Sequence, residues 1–195
     1  MRGASFAITA LAMLLLWAMP VPAFEVETAP ETIVERDPSG RGIGFSGTIG
    51  GRSDYWRWVR ARRGEVPGGA FVAGFEPGAN HYVCNAPYKD GVLPGYLIAG
   101  EDACAMSHAG REIRAKAYAV LTGTDEDYAW VAGSGGSVPA GAIPGGKMRG
   151  QRFFVCRAVI AEEFDYPGKL TQRGCQVARD GVEYVMQQYE ALVER

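Results

Sequence analysis

Apolar residues recur along this chain in short runs bounded by glycine and proline, rather than in long stretches with helical spacing. Tyr82-Val83-Cys84 and Phe153-Phe154-Val155-Cys156 are compact apolar runs of the kind that fill buried strands. Ile113-Arg114-Ala115-Lys116-Ala117-Tyr118 alternates apolar and polar positions, the period of a half-buried strand. Near the end the pattern is ambiguous, because Val182, Val185, Met186, Tyr189 and Leu192 also fit a helix. The internal repeat described below favours a strand there, since one fold should serve both copies. Twenty-seven glycines and 11 prolines exclude a helical protein and point to short strands joined by tight turns.

The first residues follow a different logic. Arg2 precedes an apolar run from Phe6 to Trp17, Pro20 breaks it, and Val21-Pro22-Ala23 supplies a cleavage site. This is the layout of a secretory signal spanning residues 1–23, with an uncleaved membrane anchor as the competing reading. Residues 24–52 form an acidic, Gly-rich arm, within which residues 44–50 could supply an edge strand. Removing residues 1–23 leaves 19 Lys plus Arg against 22 Asp plus Glu, a net charge of −3. That balance gives no reason to attract nucleic acid or an anionic membrane. The expected location is therefore secreted or periplasmic, with no membrane span after cleavage.

Laid on itself with a shift of 72, the chain matches Trp58-Val59 to Trp130-Val131 and Val66-Pro67 to Val138-Pro139. The same shift matches Val83-Cys84 to Val155-Cys156, and gives 12 identities over the 29 positions from Trp58 to Ala86. Matched Trp, Pro and Cys positions exclude glycine bias as the cause, so the expected organisation is two tandem repeats. These span residues 53–121 and 128–195, joined by a linker at 122–127. The expected fold is all-β, with two homologous repeats forming interlocked antiparallel sheets in a sandwich-like arrangement. The strings Pro94-Gly95 and Pro167-Gly168 read as turns.

Each copy carries two cysteines at matching positions. In an exported chain these favour disulfides over metal ligands or a catalytic thiol. Cys84–Cys104 with Cys156–Cys175 treats both copies alike, while the symmetric cross-copy pairing, Cys84–Cys156 with Cys104–Cys175, stays open. No CxxC occurs, and His81 and His108 have no counterparts in the other copy, so both read as surface residues. No metal and no cofactor are expected.

The order Trp130-Val131, Gly136 to Gly146, Phe154-Val155-Cys156-Arg157-Ala158, Pro167-Gly168-Lys169-Leu170, Cys175 and Tyr189-Glu190-Ala191-Leu192 resembles the DM-nine repeat family. The resemblance covers residues 55–195. It implies an all-β fold of interlocking paired repeats without enzymatic activity, and in some members a lectin-like binding of mannose-type sugars. It also implies two sugar-contacting positions: an acidic residue after the Gly-Gly turn and the Lys of Pro-Gly-Lys. The first copy has Glu76 at the acidic position and Tyr96 at the lysine position. The second has Met148 and Lys169.

A sugar site needs hydrogen-bonding groups beside an aromatic face. Lys169, Glu76 and Arg157 are the candidate polar groups, and Tyr96 or Tyr166 the candidate faces. Against these stands ordinary surface, and Lys169 could be a solvated turn residue. Trp58 and Trp130 read as core. Enzyme readings find little: GxSxG and HExxH are absent, and Gly145-Gly146-Lys147 lacks P-loop spacing. The acids Glu162, Glu163 and Asp165 read as a solvated loop. The expected function is a non-catalytic module binding a carbohydrate or similar polar ligand. The alternative is a structural or protein-interaction module of the envelope with a secreted or envelope partner, and a homodimer is left open. A hydrolase acting on cell-wall glycans ranks last.

Overall fold

The computed structural model describes residues 57–160 and 164–195. The expectations for the signal segment, the arm with its strand at 44–50, and Glu162 and Glu163 lie outside the described residues.

Among the described residues the chain forms fourteen strands. In the first half they are β1 (Arg57–Arg62), β2 (Val72–Glu76), β3 (Ala79–Tyr88), β4 (Gly91–Ile98), β5 (Cys104–His108), β6 (Arg111–Ala115) and β7 (Ala117–Thr122). In the second they are β8 (Tyr128–Ser134), β9 (Pro144–Met148), β10 (Gln151–Ile160), β11 (Phe164–Thr171), β12 (Gly174–Arg179), β13 (Val182–Met186) and β14 (Gln188–Glu194). The ambiguous segment near the end is therefore extended, as β13 and β14.

All fourteen strands belong to one antiparallel sheet, not to two stacked sheets as a sandwich would require. Eight of them close on themselves in the order β4, β5, β6, β13, β12, β11, β10, β9 and back to β4. The barrel-like ring is thus built from both halves, and its two seams are β6–β13 and β4–β9. At the second seam Gly91 faces Met148 and Val92 faces Lys147. A Cβ on Gly146 would stand 2.2 Å from the Val92 carbonyl oxygen, so only glycine allows this approach.

Two of the hairpins in the ring, β5–β6 and β12–β13, use two-residue loops with both backbones left-handed: Ala109-Gly110 (φ 52 and 81) and Asp180-Gly181 (φ 51 and 81). These are the turns whose twist suits a tight hairpin. Their tips meet at the β6–β13 seam. The Gly110 N–H donates to Glu183 Oε2 at 2.6 Å, and the Gly181 N–H donates to Glu112 Oε2 at 3.0 Å.

The apolar runs explain the core. Val83-Cys84 on β3 and Val155-Cys156 on β10 are fully buried at consecutive positions, so both faces of these strands are covered. Every core cluster mixes the halves, as in the one joining Phe71, Val83 and Leu121 to Tyr128, Ile143, Val155 and Leu192. Trp58 and Trp130 pack against that cluster but remain partly exposed, so they border the core rather than fill it. The cysteines pair as Cys84–Cys104 and Cys156–Cys175, each buried.

Pro94-Gly95 and Pro167-Gly168 are not turns. They lie inside β4 and β11, where Gly95 faces Cys84 and Gly168 faces Cys156. A Cβ on Gly95 would meet the Ala105 carbonyl oxygen at 1.9 Å, so the glycine answers a close interstrand approach.

Candidate ligand site

The candidate residues fall into three places rather than one. Lys169 lies on β11 and is 4% exposed, so it is neither a turn residue nor solvated. Its Nζ donates to the Ser107 carbonyl oxygen at 2.7 Å and stands 5.3 Å from the centre of the Phe153 ring. Glu183 Oε1 lies 3.7 Å from the same Nζ, and the Glu183 side chain is also 4% exposed. The other Glu183 oxygen is held by the Gly110 N–H, so the hairpin tip of the first half orients a carboxylate of the second. Burial lowers the Lys169 amine below its ordinary value, an effect Glu183 opposes.

His81 Nε2 and Glu183 Oε1 are the two buried side-chain polar atoms without a hydrogen-bond partner among the described residues. An ammonium offers three donors and Lys169 directs one of them at Ser107. Spare donors and an orphan acceptor therefore sit side by side. His108 lies near enough to feel the charges of Lys169 and Glu183, and its ring meets that of Tyr88 edge to face at 5.2 Å. Burial, with Lys169 and Lys89 nearby, holds the His108 imidazole below its ordinary value.

Glu76 and Tyr96 share a second place. Glu76 Oε2 accepts from the Tyr166 hydroxyl at 2.9 Å and lies 3.4 Å from Arg179 Nη1. The Arg179 guanidinium covers the Tyr166 ring at 4.8 Å, and Tyr96 meets that ring at 5.3 Å. His81 stacks on Tyr166 at 4.6 Å, donates from Nδ1 to the Asp165 carbonyl oxygen at 2.9 Å, and is fully buried. The expectation that His81 is a surface residue is corrected: its anchors lie on β11, brought over by the interleaving of the halves. Burial, and then the bond to Glu76, push the Tyr166 phenol up to about 12. Arg179 occupies the ring face a ligand would need, so this cluster is closed by the chain's own groups.

Arg157 occupies a third place. Its guanidinium donates to Glu190 Oε2 at 2.7 Å and to the Ala73 carbonyl oxygen at 3.1 Å, which ties β10 to β2.

A family model described as the DM9 repeat matches residues 76–173, half of the chain. The chain belongs to the DM9 repeat family. The crystal structure of the nematode sperm cell motility protein MFP2B is similar to this DM9 protein, with a TM-score of 0.53 and 15% identity. The match covers 77% of this chain and 50% of that one, so this chain spans about half of its length. At that identity the likeness is one of fold. No curated protein matches the sequence.

Within this DM9 chain, the structure separates the positions that the family resemblance singled out. Glu76 lies with Tyr96, whereas Met148 joins the apolar cluster that contains Phe153, beside Lys169. Neither place combines the acid with the lysine. Sequence reasoning missed Glu183, the carboxylate that lies beside Lys169. It also missed Ser107, Phe153 and the Tyr88–His108 ring pair. The available signal was the glutamate matched between hairpins, Glu112 and Glu183, each two residues after an Ala-Gly or Asp-Gly turn.

Proposed function

We propose that this DM9 protein is an exported, non-catalytic module that binds a carbohydrate or similar polyhydroxylated ligand through Lys169 and Glu183. The observation that carries the reading is the buried Glu183 Oε1, which accepts no hydrogen bond yet lies 3.7 Å from an ammonium with donors to spare. Two adjacent sugar hydroxyls match that pair: one accepts from Nζ, the other donates to Oε1. The aromatic pair of His108, near Lys169 and Glu183, and Tyr88 would supply the face that sugar C–H groups pack against. The two buried disulfides support an oxidising compartment, hence export.

A glycan array followed by calorimetric titration tests the reading on the wild type, Lys169→Met and Glu183→Gln. Each substitution is expected to weaken binding by about tenfold or more, as for loss of a charged hydrogen bond. Binding unchanged in both variants, or no glycan bound by the wild type, would sink it. The second reading, a protein-interaction module, is favoured by Val72 and Phe75 on β2, which are 45% and 66% exposed. A glycan-independent partner lost on Phe75→Asp would support that reading.

A further inference from the structure

The sheet path ends in two edge strands, β1 and β8, each paired on one side only among the described residues. Under the 72-residue shift they occupy the same place, since β1 pairs with β7 and β8 pairs with β14 in matching register. Their sequences differ in one respect. Arg57, Arg60, Arg62 and Arg63 stand where β8 and its turn have Ala129, Ala132, Ser134 and Gly135. The position folds without charge in one half, so the four arginines are not required by the sheet. All four are exposed, and Val59 between them is 40% exposed.

One carboxylate already shows what this edge accepts. Glu65 takes the Arg62 backbone N–H at 3.3 Å and lies 3.9 Å from its guanidinium. At the matching place beside β8, the neutral Ser137 hydroxyl takes the Ser134 N–H at 3.3 Å. The β1 edge thus offers backbone N–H groups and exposed guanidiniums together, a combination that suits carboxylates. A second copy is a poor occupant, because pairing β1 with itself would set arginines against arginines.

We propose that the occupant is the acidic segment at residues 25–37 of this chain, docking along the outer edge of β1. That segment carries Glu25, Glu27, Glu31, Glu35 and Asp37 against the single Arg36. The 19 residues between Asp37 and Arg57 are ample to return along a strand of about 20 Å. Docking there would cover the edge that is unpaired among the described residues and neutralise its charge, and it is independent of the sugar site.

Amide hydrogen exchange on the intact secreted chain tests this at the β1 amides that do not bond to β7. They are expected to exchange slowly in the wild type. Glu31→Lys with Glu35→Lys, or Arg60→Glu with Arg62→Glu, should speed them at least about tenfold, and high salt should do the same. The charge swap that combines all four substitutions should restore slow exchange, with β10 and β11 amides as the folding control. Equal rates in all four proteins, failure of the swap to restore, or protection that grows with protein concentration would each overturn the proposal.

Discussion

The Arg157 guanidinium lies over the Trp130 ring, its Cζ 4.4 Å from the ring centre. The same group reaches Glu190 at 2.6 Å and the Ala73 carbonyl oxygen at 3.1 Å, so its main partners lie within the protein. Its role is to hold β2 and β8 against β10. Arg157→Ala is expected to cost about 2–4 kcal/mol, from an orphaned carbonyl and a broken half-buried ion pair. Urea unfolding reads that loss, and ligand affinity should not move. A lower affinity with unchanged stability would place Arg157 in a binding site instead.

Gly74 marks where β2 crosses to β11. A Cβ there would stand 2.1 Å from the Asp165 carbonyl oxygen, a backbone atom with nowhere to go. Gly74→Ala is expected to destabilise by about 3 kcal/mol or more, whereas Gly68→Ala, which meets nothing within 4 Å, should be close to neutral. Thermal melts of the two variants, run side by side, make the comparison. Similar melting temperatures would mean that β2 does not press on β11 as described.

Lys169 and Glu183 stabilise each other as buried charges, so removing one strands the other. Lys169→Met or Glu183→Gln alone should cost about 2–4 kcal/mol, and the double variant should cost less than the two singles combined. The amine also leaves a signature in pH. Its folded value lies below the ordinary 10.5, so the unfolded chain binds more protons in that window and stability gains as pH rises there. Lys169→Met should erase that gain. A strictly additive double-mutant cycle would argue against the pairing.

The buried tyrosines act in the opposite sense. Burial pushes Tyr128 and Tyr166 up to about 12 from the ordinary 10. Between those values the folded chain keeps protons the unfolded chain has lost, so stability is intact below pH 10 and falls as pH rises toward 12. Tyr166→Phe should make that alkaline fall shallower, while costing about 1 kcal/mol at neutral pH for the lost bond to Glu76. Unfolding midpoints taken across the alkaline range, with phenolate absorbance alongside, provide the check. An identical slope in the variant would refute the assignment.

What the sequence made legible was local or periodic. The runs before Cys84 and Cys156 mark real strands, and the matched cysteine positions favoured the pairing found. The alternation at Ile113–Tyr118 is extended too, but it is divided at Lys116 between β6 and β7 rather than forming one strand. What stayed hidden depends on contacts between distant parts of the chain. His81 looks like a surface histidine until Asp165, 84 residues away, supplies its anchor. Pro-Gly reads as a turn because that dipeptide usually makes one, yet Gly95 is glycine because Ala105 presses against it. Glu183 carries no motif. Its carboxylate is buried because the Gly110 hairpin tip from the other half reaches it.

Because β9 of one half is inserted between β4 of the other and β10 of its own, neither half is a detachable part. Cutting the chain between Thr122 and Tyr128 would leave each fragment with open flanks where its neighbour's strands belong. Such fragments should be recovered as a reassembled pair rather than as separate folded pieces. Transplanting one half into a foreign protein would likewise carry over an unfinished wall.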